Sequence, residues 1–127
     1  ATREVRGLTD LAAARVTDPG LAEGGHGVLV VTREVADDDD ADWRARMFAP
    51  LHGIPEDPAT GSAAAAFAGA LALAGGPRQT VLAQGVEMGR PSRIETRVEP
   101  GPDGTLAVLV AGTAVLVAEG FIETGSP

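Results

Sequence analysis

The 127-residue sequence contains no cysteine and no tyrosine, a single tryptophan, and only 3% aromatic residues in all. Without thiols there is no disulfide scaffold, no thiolate metal site and no cysteine nucleophile. So few aromatic rings offer neither a base-stacking platform nor an aromatic sugar cleft. Positive charge is also scarce: ten Lys and Arg stand against 18 Asp and Glu, a formal net charge of −8. Most of such a surface repels a phosphate backbone, so nucleic acid is not an expected partner. The longest apolar stretch, Ala63 to Ala74, is too short to span a bilayer, and no basic, apolar and small-residue series marks a secretory signal. The expectation is a cytoplasmic protein with no membrane association.

What is present describes a folded domain. Hydrophobic residues make up 44% and charged residues 22%, and the length suits one domain over residues 1–127. Asp10 can cap a short helix through Leu11–Arg15, which Asp18-Pro-Gly20 ends. Gly27–Thr32 is rich in β-branched residues and reads as a buried strand. The run Asp37–Asp40, with Asp42 behind it, reads as a solvated turn. A multi-aspartate metal site would need ligand spacing and glycine turns that this run lacks. Trp43-Arg-Ala-Arg-Met47 alternates apolar and basic residues at period two, as a half-buried strand does, before Pro50 and Gly53 break it.

Residues Ala59–Ala74 carry no charge anywhere on a helical wheel, so a helix there needs cover on several sides. Four strands follow, Thr80–Gln84, Ser92–Val98, Leu106–Val110 and Ala114–Ala118, with Glu99–Gly104 as a turn and Gly112 as a breaker. The implied fold class is α+β: a curled antiparallel or mixed sheet wrapped around a central apolar helix.

Chemistry concentrates where that helix begins, at Glu56-Asp-Pro-Ala-Thr-Gly-Ser-Ala63. Proline fixes φ for a helix start, and Gly61 lets a ligand approach backbone N–H groups that the helix dipole makes anion-seeking. A substrate carboxylate fits such a site. Asp57 beside it either takes a proton from a ligand hydroxyl or amine, or is itself protonated. The plainer reading is that Asp57 and Thr60 only cap the helix and Ser62 only packs. No Gly-Lys-Ser/Thr follows, so this is not a nucleotide-phosphate loop.

Taken in order, Arg46-Met-Phe-Ala-Pro50, Gly53-Ile-Pro-Glu-Asp-Pro-Ala-Thr-Gly-Ser-Ala63, Gln84-Gly85 and Met88-Gly-Arg-Pro-Ser92 closely resemble the C-terminal half of the phenazine-biosynthesis PhzF-like family. The resemblance runs from about Trp43 to the residues after Gly120. It implies one lobe of a diaminopimelate-epimerase-like fold, in which two similar halves each wrap a sheet around a helix and share a cleft. It implies that Asp57 contacts the substrate and that Thr60, Gly61 and Ser62 bind its carboxylate. The implied activity is proton transfer or double-bond isomerisation on a small amino or hydroxy acid, with no cofactor and no metal. The family's principal acid/base is a glutamate of the N-terminal half, which has no counterpart here. This chain alone is therefore expected to be inactive. Its expected partner is an N-terminal lobe on another chain or a second copy of itself, unless a fragment is in hand. The alternative is a non-catalytic module that binds a small carboxylate or serves assembly.

The remaining candidates read as structural. His26 lies in a glycine-rich turn, and His52 sits between Pro50 and Gly53, where it suits an exposed turn or a cleft mouth. Glu56 neighbours Asp57, as paired acids do, although adjacent residues tend to point apart. Arg46 and Arg90 are read as neutralising carboxylates and packing their stems rather than steering substrate.

Overall fold

A computed structural model describes residues 27–35 and 40–125. The helix expected after Asp10, His26 and Asp37–Asp39 lie outside them. The elements in chain order are β1 (Val28–Thr32), β2 (Trp43–Ala49), a 3-10 turn (Pro50–His52), β3 (Ile54–Asp57), α1 (Gly61–Leu73), β4 (Gln79–Gln84), β5 (Ser92–Pro100), a second 3-10 turn (Pro102–Gly104) and β6 (Leu106–Gly112). The sheet runs β1-β2-β4-β5-β6, with β3 paired to β2 off that path.

β2 organises this arrangement by dividing one of its edges. Its first three residues pair in parallel with Leu82–Gln84 of β4, and its end pairs antiparallel with β3 across a bulge between Met47 and Ala49. The chain therefore leaves β2, turns back as β3, enters α1 on one face of the sheet and returns as β4. This crossover places the start of α1 against the C-terminal end of β4.

Alternation in β2 separates its two sides. Trp43 and Ala45 face the helix, where Ala45, Ala64, Leu82 and Ile94 form the buried core with Leu29, Val31, Trp43 and Phe67 packed against it. Trp43 and Phe67 meet edge to face with ring centroids 5.1 Å apart, a favoured geometry for the aromatic quadrupoles. On the other side Arg44 pairs with Glu87 and Arg46 with Glu56, at 2.9 and 2.7 Å. The arginines of this strand are thus tied down rather than dissolved in water.

Three expectations change. First, the helix is not enclosed. Ala64 and Ala68 are buried against the sheet, but Ser62, Ala66, Ala70 and Leu73 are exposed on the opposite side, Leu73 at 78%. The sheet is mixed and open, and among the described residues its strands cover one side of α1 only. Second, Ala114–Ala118 forms no strand. β6 extends to Gly112 and residues 113–125 have no regular structure, because among the described residues no strand offers their N–H and C=O groups a ladder. Val115, Leu116, Val117, Phe121 and Ile122 all remain exposed. Third, Asp42 is not part of a purely solvated run: its carboxylate accepts the Val81 N–H at 2.8 Å and its own N–H donates to the Val81 carbonyl. This clasp starts the parallel β2–β4 pairing. Asp40 keeps the expected exposure and lies 3.4 Å from Arg93.

No helix among the described residues is long and apolar enough to cross a membrane. Nor do the described residues contain a group of three or more His, Asp or Glu placed to hold a metal ion.

Candidate active site at the start of the helix

The end of β3 and the start of α1 form a sharp elbow through Asp57, Pro58, Ala59 and Thr60. Its internal bonds differ from those of a simple helix cap. Thr60 occupies the cap position with extended backbone, yet makes no side-chain capping bond. Its hydroxyl instead donates to Asp57 Oδ2 at 2.6 Å. The other Asp57 oxygen, Oδ1, takes only a long 3.5 Å contact from the Ala59 N–H. Among the described residues no side chain caps the first turn, so the N–H groups of Gly61, Ser62 and Ala63 are left for solvent or a ligand. Both Gly61 and Ser62 are exposed.

One residue holds this elbow from beneath, and the motif reading of the helix start did not single it out. Gln84, at the end of β4, is fully buried. Its Nε2 donates to the Asp57 carbonyl at 2.6 Å and to Thr60 Oγ1 at 3.0 Å, and its Oε1 accepts the Thr60 N–H at 3.3 Å. The signal in the sequence was the polar amide at a position where the β4 alternation requires burial, followed by Gly85. Gly85 has φ +76°, and a Cβ there would fall 2.8 Å from the Pro58 carbonyl oxygen and 2.4 Å from that of Arg90. Only glycine lets β4 approach the elbow this closely.

Glycine at 61 has no such internal reason. A Cβ there would meet only Val110 Cγ1, at an ordinary 3.6 Å. Fold packing leaves room for a side chain at the helix start.

The two adjacent acids are sorted by strand alternation. Asp57 faces the helix side with Thr60, whereas Glu56 turns to the other side and binds Arg46 through both oxygens, at 2.7 and 2.8 Å. This hydrogen bond raises the Arg46 pKa above the ordinary arginine value, ahead of the opposing effect of burial. Glu56 is accordingly committed to a structural pair, as the sequence reading favoured for Arg46. His52 is exposed on the turn before β3.

An open groove of about 530 Å³ runs from the helix start along β5 and β6, lined by Ala59, Gly61, Ser92, Ile94, Val110 and Thr113 among others. It reaches Gly61 but not Asp57, Thr60 or Ser62. The four predicted site residues therefore lie together on one elbow, and only Gly61 borders the groove.

An open α+β lobe with an uncapped helix start beside a carboxyl group is the class of site that the geometry defines. Residues 11–120 match the family model described as phenazine biosynthesis-like protein, and the chain belongs to that family. It is 46% identical over 82 residues to the trans-2,3-dihydro-3-hydroxyanthranilate isomerase of Pseudomonas aeruginosa, covering 61% of this chain and 29% of that protein. An uncharacterized isomerase of Mesorhizobium japonicum is 43% identical over 95 residues, 72% of this chain and 31% of that protein. Another from Deinococcus radiodurans is 44% identical over 84 residues, 61% and 27% respectively. The chain thus spans about three-tenths of the length of the curated relatives it matches.

Proposed function

We propose that this chain is one lobe of a cofactor-independent isomerase that moves a proton, or a double bond, on a small amino or hydroxy acid. The observation that carries the reading is the uncapped start of α1 next to Asp57, whose cap residue has its hydroxyl turned away from the helix. The substrate carboxylate docks on the Gly61 and Ser62 N–H groups, where the unpaired donors and the helix dipole favour an anion. Thr60 holds Asp57 toward the same spot. Asp57 contacts the hydroxyl or amine of the substrate, and the principal acid/base comes from the other lobe.

That lobe, on a separate chain or supplied by a second copy, also covers apolar surface left open here. The exposed row Ala66, Ala70 and Leu73, together with Val115–Val117 and Phe121, supports this part of the reading. The name of the Pseudomonas aeruginosa relative supplies the first compound to try, an acid that bears both an amine and a hydroxyl.

The test is solvent deuterium incorporation into trans-2,3-dihydro-3-hydroxyanthranilate, with this chain mixed with the N-terminal lobe of that relative. Exchange in the mixture, none with either lobe alone, and none with Asp57→Ala is expected. Exchange that survives Asp57→Ala undiminished would remove Asp57 from the chemistry. No exchange with any family N-terminal lobe would leave this chain a binding or assembly module.

A further inference from the structure

We infer that Gln84 is a positioning residue of this site: it acts through the Thr60 hydroxyl to fix the direction in which the Asp57 carboxyl presents its free oxygen. The inference rests on the site reading given above and adds a residue that lies on a different element, 27 positions along the chain from Asp57.

The argument is one of donors and acceptors. A threonine hydroxyl has one proton and can also accept. Gln84 Nε2–H points at Thr60 Oγ1 from 3.0 Å and occupies its accepting side. The single hydroxyl proton is then directed to Asp57 Oδ2, at 2.6 Å. That oxygen is engaged, and Oδ1, with only the 3.5 Å contact to the Ala59 N–H, is the one free to meet a substrate. Without Gln84 the hydroxyl could rotate toward the open N–H groups of the first helical turn and cap them, as threonine does at this position in ordinary helices. The same change would release Asp57 and close the anion site. Gln84 thus decides between a capped helix and an open one.

Two further features fit this role better than a packing role. Gln84 spends a fully buried amide where β4 otherwise places apolar side chains, and it uses both of its N–H donors on the elbow. Gly85 brings β4 against Pro58 at the same point, so the amide meets the elbow at fixed height.

The test uses the 127-residue chain labelled with 13C and 15N. The readout is the Asp57 side-chain carboxyl carbon resonance, and the amide spectrum of the β5–β6 hairpin reports an intact fold. Gln84→Met, which keeps length and loses the amide, should shift the Asp57 carboxyl resonance. Thr60→Val should shift it as well. Once Thr60→Val is in place, adding Gln84→Met should move it no further, because the route from Gln84 to Asp57 is gone. Where Gln84→Met does not fold, Gln84→Asn gives the same comparison. An Asp57 resonance unchanged by the Gln84 substitution in a folded chain, or shifted equally with and without the Thr60 hydroxyl, would overturn the inference.

The site reading is followed separately by titrating benzoate against the Gly61 and Ser62 amide shifts. Binding that is weakened about fivefold by Gln84→Met, the worth of about one hydrogen bond, supports both. No benzoate response in the unmodified chain counts against the site reading and leaves the Asp57 result to decide on Gln84.

Discussion

Gly61→Ala adds one methyl group to the first residue of α1, and its effects on folding and on ligand binding should have opposite signs. For folding, the new Cβ meets only Val110 Cγ1 at 3.6 Å, and Gly61 is not among the residues with positive φ. Alanine at a compatible position stabilises by about 0.4–1 kcal/mol, chiefly by restricting the unfolded chain. For a domain of this size that raises Tm by about 1–5 °C. For the ligand, a Cβ on a helix leans toward the N-terminal end, which is where the substrate carboxylate is proposed to sit. A methyl group there forces the anion off at least one N–H. A hydrogen bond to a charged group contributes about 1.5–3 kcal/mol, so affinity should fall roughly 10- to 150-fold. Thermal unfolding of the 127-residue chain measures the first effect. Deuterium exchange with the complementary lobe measures the second. Exchange at the unmodified level in a stabilised Gly61→Ala protein would refute a carboxylate seated on this turn. Loss of stability by more than about 1 kcal/mol would instead show that Gly61 serves the fold.

Other outcomes follow from the same geometry. Gly85→Ala should destabilise the chain by at least about 2 kcal/mol in urea denaturation, since it combines positive φ with a Cβ that meets two backbone oxygens. Glu56→Ala leaves Arg46 only 12% exposed without its carboxylate, and should cost about 2–3 kcal/mol, whereas Glu56→Ala together with Arg46→Met should recover part of that loss. The Arg46 contribution has a definite pH sign: a raised pKa in the folded state means its stabilisation is fully present below the ordinary arginine value and is lost only as pH rises through the raised one. Its double-mutant coupling to Glu56 should therefore be the same at pH 7 and pH 9. Extended dialysis against EDTA should leave the deuterium exchange rate of the paired lobes unchanged, and a rate restored only by added metal would contradict the proposed chemistry.

Much of the architecture was legible because local patterns were strong. The period-two run at Trp43–Met47 fixed which side chains face the helix, and Pro-Gly-Pro-Asp-Gly104 marked the β5–β6 turn. The apolar helix was recognisable from its lack of charge, but its surroundings were not, because a wheel that tolerates cover on every side does not say which cover is supplied by this chain. Ala114–Ala118 misled for a related reason: β-branched composition reports willingness to pair, and pairing needs a neighbour. At the site, Asp57, Thr60, Gly61 and Ser62 could be found together because they are contiguous. Gln84 could not be assigned a role from sequence, since its three bonds to the elbow depend on the parallel β2–β4 pairing, which brings distant residues into register.

The pairing of Arg46 with Glu56 has a consequence for how length changes near the site would be read out. β3 has four residues and holds its place against β2 through few ladder positions, with a bulge among them. A slip of one residue exchanges the two faces of a strand. Here it would exchange one carboxylate for another, turning Asp57 toward Arg46 and Glu56 toward Thr60, with no change in composition or net charge. Arg46 tells the two apart by reach, since it grips both oxygens of the longer acid. One residue added to or removed from the turn at 50–53 would therefore act as a functional mutation without altering any site residue, leaving a folded lobe that presents the wrong acid.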